Sequence, residues 1–312
     1  MYMAKSIVPP KQLPIHKAIN PAEDEILRRL RSYLDGASPK LVYFLVNNTR
    51  AQGRAITYKE LRTAILNGEI SESDLAEWYD DYSRFVVKYM SPAWEDAMKA
   101  ANEEREAKYP DWYFNPISEG VRRWTAEHSA ELVTSVTQTQ IEGLRAVVRS
   151  AAALNTMGVD QLARAIRPMV GLTAPQAKAN LKYYNTLIEN GIKEEKALDL
   201  SVRYSARQNR YRATSIARTE LAMAYNEGAD EGVRQAIEKG YMSRVEKIWC
   251  TSMLEARRCP ACKSLEGARI AMDGEFEAQV SKNRRVTKKL PPLHPNCMCS
   301  VLYEEVDEDD PN

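Results

Sequence analysis

The five cysteines of this 312-residue chain all lie between residues 250 and 299, and this clustering constrains the fold more than any other feature of the sequence. Cys259 and Cys262 form a Cys-x-x-Cys pair, and His294 and Cys297 form a His-x-x-Cys motif further along the chain. A disulfide scaffold distributes its cysteines through a small secreted chain. Cysteines gathered in one short window instead indicate metal binding or catalysis.

The spacing of these residues is typical of a zinc knuckle. Zinc takes four soft or borderline ligands in a tetrahedron, and a Cys-x-x-Cys turn places two thiolates on one ion. We predict Cys259, Cys262, His294 and Cys297 as the ligands, with Cys299 as a substitute for either of the last two. Four protein ligands would make the ion structural, and it would pin a segment whose own core is small. Free buried thiols or a redox pair are the alternatives.

Catalytic uses of the same residues have less support in the sequence. A thioredoxin-like Cys-x-x-Cys needs a βαβ context, which the pattern lacks, and a papain-type Cys/His pair needs an orienting partner and an oxyanion site. A zinc deaminase would place a His-x-Glu before its cysteine pair, but His128 and Glu131 have the wrong spacing. We therefore predict that the chain is not an enzyme, and we expect His16 and His128 to be surface or packing residues. A zinc-dependent hydrolase or nuclease remains an alternative.

Most of the chain before residue 243 has helical periodicity. A capping box at residues 20–23 begins the first helix, which we expect to end at Gly36. A long helix is predicted over about 119–153, Thr173 begins a capping box, and 193–237 is interpreted as two helices or one broken helix. The predicted fold class is mainly α: a helical bundle with a small C-terminal irregular/β module that resembles a zinc knuckle.

An aromatic and Pro-rich segment at residues 108–118 indicates a boundary between two helical regions. The predicted organisation has five parts: an extended arm at 1–19, an N-terminal helical domain at 20–115, a helical core at 116–240, a Cys/His knuckle module at 241–303 and an acidic tail at 304–312.

The charge and hydropathy patterns exclude several classes of protein. A formal net charge of +1 argues against a generally basic nucleic-acid coat. The longest strongly apolar run, residues 41–46, is too short to cross a bilayer, and the N-terminal segment lacks the apolar stretch of a secretory signal. We therefore expect a soluble protein made in a cytosol, with any contact to nucleic acid confined to local basic surfaces.

Two local groups of basic residues are candidates for contact with nucleic-acid phosphates. Arg203, Arg207 and Arg210 fall on one face of a predicted helix. A second group lies in an insert of the knuckle module and contains Lys282, Arg284, Arg285, Lys288 and Lys289. The alternatives are a solvated helix face for the first group and an exposed flexible loop for the second. A DNA-binding zinc-knuckle protein is therefore the alternative reading of the chain.

Three blocks of the sequence resemble the phage head morphogenesis family, the minor head proteins of the phage Mu F-like group. Together they cover about residues 118–303. In order, they are Gly171-Leu172-Thr173; Ser215 to Glu220 with Ala224 to Gly228; and Trp249, Arg257 to Cys262, Leu265 to Gly267 and Pro291 to Cys299. Glu255 and Met298 stand where the family usually has Asp and Arg.

The resemblance implies a non-enzymatic minor capsid protein, made in the host cytoplasm and incorporated into the virion head. It also implies partners: the portal protein, the major capsid or scaffold protein, and possibly phage DNA, with no membrane and no small-molecule substrate. The implied roles are procapsid assembly and genome packaging or delivery. Arg218 and Glu220, on the second block, are expected to form a structural polar pair that binds across to the third block.

Overall fold

The computed structural model describes residues 20–51, 57–153, 158–251, 259–281 and 284–306. The predicted arm at 1–19, Lys282, Glu255, Arg257 and Arg258 lie outside the described residues, as does the acidic tail beyond residue 306. The described part of the chain is mainly helical with a small C-terminal region of strands, as predicted. None of the helices in that part is long and apolar enough to cross a membrane.

Ten α-helices precede or interrupt the strands in the described residues. They are α1 Pro21–Ala51, α2 Tyr58–Asn67, α3 Glu72–Phe85, α4 Ser91–Ala100, α5 Glu103–Lys108, α6 Glu119–Ala153, α7 Val159–Ile166, α8 Ala174–Glu189, α9 Glu194–Glu238 and α10 Pro260–Leu265. A π-helical turn, Val86–Met90, joins α3 to α4, and a 3-10 turn, Arg167–Met169, follows α7.

Helix α1 does not end at Gly36, and this prediction was wrong. The helix continues through Gly36 and Pro39 to Ala51. A glycine costs about 1 kcal/mol relative to alanine inside a helix, and a proline about 3 kcal/mol. The apolar stripe of α1 extends past both residues, since Leu41 and Leu45 are buried in the same core as Leu34. Burial of this face therefore outweighs the two unfavourable residues.

Other helix termini differ less from the sequence prediction. The capping box at Thr173 is present: its N–H donates to Gln176 Oε1 at 3.1 Å, and α8 ends before Gly191, whose φ of 76° is left-handed. Gly158 is the N-cap residue of α7, and Asp160 lies in the first turn of this helix, bound to Arg62. The capping box at Thr173 therefore located the start of α8 correctly.

Helix α9 is one continuous helix of 45 residues, neither two helices nor a broken one. At 1.5 Å per residue it is about 68 Å long. Its C-terminal half shares a hydrophobic core with α1, α4 and the first half of α6, through residues that include Leu34, Trp94, Leu132 and Leu221. Residues from both sides of the boundary predicted near residue 115 share this core. The division into separate helical domains at 20–115 and 116–240 therefore stays a prediction.

A second core lies around the other half of α6, where α2, α7 and α8 pack against it. Its buried residues include Leu61, Leu144, Ile166 and Leu181. Tyr184 of α8 and Ala197 of α9 form a smaller adjoining cluster. Helices α6 and α9 each contribute to more than one cluster, so they hold the helical part together.

The described residues of the C-terminal module form five strands in two sheets. They are β1 Val245–Cys250, β2 Arg269–Ala271, β3 Phe276–Ser281, β4 Arg284–Lys288 and β5 Ser300–Glu305. The first sheet is antiparallel with the order β2-β1-β5, and its register pairs Trp249 with Val301. The second sheet is the β3–β4 hairpin. Trp249, Phe276 and Leu265 form the core of the module, and the cysteines lie among them.

Helices α4 and α9 approach closely where α9 carries Gly228 and Gly232. A Cβ atom at Gly228 would overlap the Cα of Met98, and one at Gly232 would overlap the side chain of Asn102. Asn102 is fully buried, and its side-chain amide donates to the carbonyl of Gly228 at 2.8 Å. The absence of side chains at the two glycines therefore sets the distance between these helices.

We predict opposite effects for two Gly-to-Ala changes on helices. Gly228→Ala should lower the free energy of unfolding by about 1–3 kcal/mol, because the new methyl group meets backbone atoms of Met98 that cannot rotate away. Gly36→Ala, on the exposed side of α1 with open space around it, should raise that free energy by about 0.5–1 kcal/mol. Urea unfolding measures both; equal stability of the two variants would contradict the close approach.

Candidate metal centre

Three local structures bring the cluster of Cys and His side chains together. Cys259 precedes α10, whose first helical residue is Pro260, and Cys262 lies in the first turn of that helix. Pro at the first helical position is favoured because its missing N–H would have no partner there. The segment from His294 to Cys299 leads into β5 and passes beside α10.

Two distances from the sulfur of Cys262 are close to the ligand–ligand separations of a zinc site. Sγ of Cys262 lies 3.8 Å from Sγ of Cys297 and 3.3 Å from Nε2 of His294. Zinc–sulfur and zinc–nitrogen bonds of about 2.3 and 2.0 Å give tetrahedral edges of about 3.8 Å for S–S and about 3.6 Å for S–N. Each distance taken singly is close to an edge of such a tetrahedron, but His294 and Cys297 belong to different groups of mutually close donors, so the two distances do not place both residues on one ion.

Cys262 is shared by two groups of donors. In the first group, with Cys259 and His294, the donor atoms lie within 4.8 Å of one another, and the same holds for the second group, with Cys297 and Cys299. The other three predicted ligands, Cys259, His294 and Cys297, and the alternative ligand Cys299 thus lie around the sulfur atom of Cys262. The assignment of the fourth ligand to Cys297 over Cys299 stays a prediction.

The hydrogen bond of the His294 ring indicates which nitrogen faces the cluster. Nδ1 lies 2.9 Å from the carbonyl oxygen of Pro295, and only a protonated Nδ1 can donate to it. In the neutral ring Nε2 then carries a lone pair, and this atom is the one that faces Cys262. A backbone carbonyl that fixes the tautomer is the usual orienting partner of a metal-bound histidine.

The thiols of the cluster influence one another through hydrogen bonds. Hydrogen bonds from Cys262 and Cys299 lower the pKa of Cys297, because they stabilise its thiolate. The pKa of Cys262 is raised chiefly by its hydrogen bond to Cys297, and that of Cys299 by its hydrogen bond to Cys262. Among these three buried cysteines the hydrogen bonds therefore favour a single thiolate, that of Cys297. A bound cation would be needed to stabilise a second thiolate beside it.

Cys250 is the one cysteine that lies outside this cluster. It is buried between Ile248 and Leu302 in a separate apolar contact, where Ile26 and Leu27 of α1 also pack. Burial raises the pKa of its thiol to about 12. Cys250 therefore behaves as a small apolar residue of the core.

The segment that carries the second half of the cluster also binds α9. The N–H of Asn296 donates to Thr219 Oγ1 and its side-chain amide donates to Ser215 Oγ, both at 3.0 Å. Asn296 has a φ of 58°, a left-handed conformation that Asn tolerates better than most residues. Further along, Ser300 Oγ donates to Asn226 Oδ1 at 2.9 Å. The second and third blocks identified in the sequence are therefore in direct contact.

Arg218 and Glu220 were expected to bind across to the third block, and only Arg218 does so. Arg218 does reach the third block, where its guanidinium lies 3.4 Å from Sδ of Met298, and it also pairs with Asp35 of α1 at 2.9 Å. Glu220 points elsewhere, because one helical turn cannot place residues 218 and 220 on the same face. It lies 2.6 Å from Nε2 of His128 on α6.

His128 is a packing residue of the helical core, as expected. Its ring stacks on Trp124 with centroids 4.5 Å apart and meets Trp94 edge-on at 4.9 Å. Its side chain is 13% exposed, and that of Glu220 is 8% exposed. This buried contact joins α6 to α9 and involves none of the Cys/His donors.

The two basic groups differ in how the structure presents them. Arg203, Arg207 and Arg210 are all exposed on α9; Arg203 pairs with Asp199 and Arg207 lies over the ring of Tyr204. The remaining described basic residues are on the hairpin, where Arg284, Arg285, Lys288 and Lys289 are exposed.

The hairpin does not gather its basic side chains on one face. Arg285 is paired across the strands with Gln279, and Lys288 with Phe276, and these two pairs lie on opposite faces of the hairpin. Arg285 is also bound to Glu277 at 2.7 Å. Contact of either basic group with nucleic acid therefore stays a prediction.

Several residues that hold the module in place were not singled out as site residues from the sequence. Asn226 and Asn296 lie inside the sequence blocks that carry the family resemblance. Their polar side chains stand among small or apolar neighbours, and this pattern could have marked them as residues that bind another part of the chain. Lys247 is 1% exposed on β1 and had no such signal. Its amine lies 3.7 Å from Asp230 of α9 and 3.4 Å from the carbonyl of Lys289.

Buried acids on α9 lie beneath this part of the module. Burial raises the pKa of Glu227 to about 7, and the negative charges of Asp230 and Glu231 add to the effect. Asp230 is buried and accepts hydrogen bonds from Tyr303 and Arg234. Glu227 is therefore protonated more readily in the folded chain than in the unfolded chain.

We predict that Glu227 makes stability depend on pH near neutrality. Because its folded-state pKa is raised to about 7, the unfolding free energy should fall as pH rises from about 4.5 to 7. Glu227→Gln should therefore stabilise the protein by about 1–3 kcal/mol at pH 8 and by much less at pH 5. Thermal or urea unfolding at both pH values measures this, with the exposed Glu189→Gln as control. An effect of Glu227→Gln that is equal at both pH values would disprove it.

Comparison with known proteins yields one match. Residues 155–302 match the sequence profile of the family described as Phage Mu protein F like protein. The matched segment contains α7 to α10 and most of the C-terminal module, so it includes both the α9 contacts and the Cys/His cluster. Among the curated proteins and the solved structures, no match is found. The predicted resemblance is confirmed: residues 155–302 are phage Mu F-like, with the sequence pattern of a phage head morphogenesis family.

Proposed function

We propose that this chain is a minor capsid protein of a phage head: a structural component that is not an enzyme. The match of residues 155–302 to the phage Mu F-like family is the observation that carries this proposal. In this role the protein is made in the host cytoplasm and enters the virion during procapsid assembly. Its partners are the portal protein and the major capsid or scaffold protein, with a further role in genome packaging or delivery.

The architecture supports a role in docking. Helices α6 and α9, of 35 and 45 residues, offer long side surfaces for protein contacts. The C-terminal module is attached to α9 by Asn296 and Ser300 and to the region of α1 by Arg218, so it has a defined orientation on the helices. Such a surface suits binding to a partner, and it needs neither a membrane nor a small-molecule substrate.

We also propose that Cys259, Cys262, His294 and Cys297 hold one structural zinc ion. The group of Cys259, Cys262 and His294, the contact of Cys262 with Cys297 and the ring orientation of His294 are the support for this set. Binding of one ion by all four requires Cys297 to approach His294 and Cys259 more closely than it does in the structure. When bound, zinc supplies a four-way cross-link among these side chains and no chemistry on a substrate. A hydrolytic zinc site needs an open position beside an acid or base. Among the described residues, the two donor groups contain cysteine and histidine and no carboxylate.

Contact with packaged DNA is the alternative that the exposed arginines of α9 support. Arg203, Arg207 and Arg210 project from one exposed face, where phosphate contacts would not depend on base sequence. Affinity for duplex DNA that falls steeply with salt would favour this alternative, and absence of binding at low salt would remove it.

The zinc proposal predicts about one zinc per chain after purification without chelators. Cys262→Ser should abolish stable zinc binding, since Cys262 belongs to both donor groups. Cys250→Ala is the matched control: it removes a buried cysteine outside the cluster and should leave the zinc content unchanged. Elemental analysis of the three proteins measures the result. Wild-type protein without zinc would overturn the proposed site.

The assembly proposal predicts that the tagged full-length chain sediments with procapsids when it is expressed together with the portal, scaffold and major capsid proteins of the same phage. Leaving out the portal protein should reduce its incorporation, because the portal is the proposed docking partner. Density-gradient fractions probed for the tag measure both, with an unrelated protein carrying the same tag as control. A chain that stays at the top of the gradient in every combination would contradict a structural role in the head.

A further inference from the structure

The segment from His294 to Ser300 has two functional sides. His294, Cys297 and Cys299 direct their side chains into the Cys/His cluster. The residues between them, Asn296 and Met298, contact α9, as does Ser300 at the end of the segment. The same short stretch of backbone therefore carries candidate metal ligands and the residues that bind the long helix.

Two hydroxyl groups on α9 hold the turn between His294 and Cys297. Thr219 Oγ1 accepts the backbone N–H of Asn296, and it donates its own proton to the carbonyl of Ser215 at 2.7 Å. Ser215 Oγ accepts the side-chain amide of Asn296. Since the backbone of Asn296 is left-handed, these two bonds fix the turn that sets the spacing of the ligands on either side of it.

The far end of the same segment is held by a third side chain of α9. Asn226 is 1% exposed, and its amide lies 3.5 Å from the carbonyl of Cys299 while its oxygen accepts the hydroxyl of Ser300 at 2.9 Å. Both ends of the segment that carries His294, Cys297 and Cys299 are thus tied to one helix.

We infer that Ser215, Thr219 and Asn226 are positioning residues of the metal site: their hydrogen bonds hold the His294–Ser300 segment in the conformation that binds the ion. This inference rests on the proposed zinc site. Ordering a free segment costs backbone entropy at every residue, so a segment ordered beforehand binds the ion more tightly. Outer residues that orient metal ligands commonly change metal affinity 10–100-fold.

The coupling acts in both directions. If contacts with α9 strengthen zinc binding, zinc must strengthen docking of the module on α9 by the same factor. A purely structural role for Thr219 would predict something different: stability would fall equally with and without zinc, and the zinc affinity would not change. The zinc dissociation constant is therefore the measurement that separates the two roles.

Thr219→Val in the full-length chain tests the inference, because valine keeps the shape and removes the hydroxyl. We expect zinc affinity, measured by competition with a chromogenic chelator, to weaken about tenfold. Thr219→Ser should restore it. Thr214→Val is the matched control: Thr214 lies on the same helix and makes the same type of bond, to the carbonyl of Arg210, and no contact with the described module residues is made by its hydroxyl.

The outcomes separate this inference from the proposed zinc site. If the wild-type chain binds no zinc, the proposed site fails. If the wild-type chain binds zinc and Thr219→Val binds it equally well, the inference is overturned and the zinc site stands. Should Thr219→Val not fold, Asn296→Gly removes the side-chain bond to Ser215 while glycine keeps the left-handed backbone. Unchanged zinc affinity in that variant would overturn the inference as well.

Discussion

The approach of Cys262 to Cys297 is the contact on which the C-terminal module depends. These residues come from the helix after β1 and from the segment before β5, so their contact closes the loop that contains β2, β3 and β4. The apolar core that accompanies it is small and centred on Trp249 and Phe276. A core of this size gains little by burial alone, and cross-linking by a bound ion is the usual remedy in small modules.

The module is also held from outside, by α9. Polar residues of α9 in the second sequence block, Thr219 and Asn226, bind the segment before β5 that belongs to the third block. Arg218 of the same helix also pairs with Asp35 of α1. The family match covers both blocks, which lie far apart along the chain and adjacent in the structure. In this chain, the residues matched by the family profile therefore include both sides of the interface between α9 and the C-terminal module.

The sequence predicted the helical class, the long α6 and the start of the strand region, because these depend on periodicity and on the absence of strand patterns before residue 243. It failed where tertiary packing outweighs a local signal: α1 continues past Gly36 and Pro39 because Leu41 and Leu45 are buried beyond them. The proximity of the Cys and His side chains could be predicted because a Cys-x-x-Cys pair followed by a His-x-x-Cys motif is a spacing typical of residues that meet in space. The contact between Glu220 and His128 could not be predicted, because pairing between helices far apart in the sequence leaves no local pattern.

The packing of Ile26 and Leu27 against Ile248, Cys250 and Leu302 brings the first described helix onto the last described strand. A ribosome releases these two elements at opposite ends of the described chain. The N-terminal helix must therefore wait, with part of its apolar face open to water, until β5 has emerged from the exit tunnel. Contacts of such long sequence separation form slowly, and the nascent chain is a candidate for protection by chaperones during this interval.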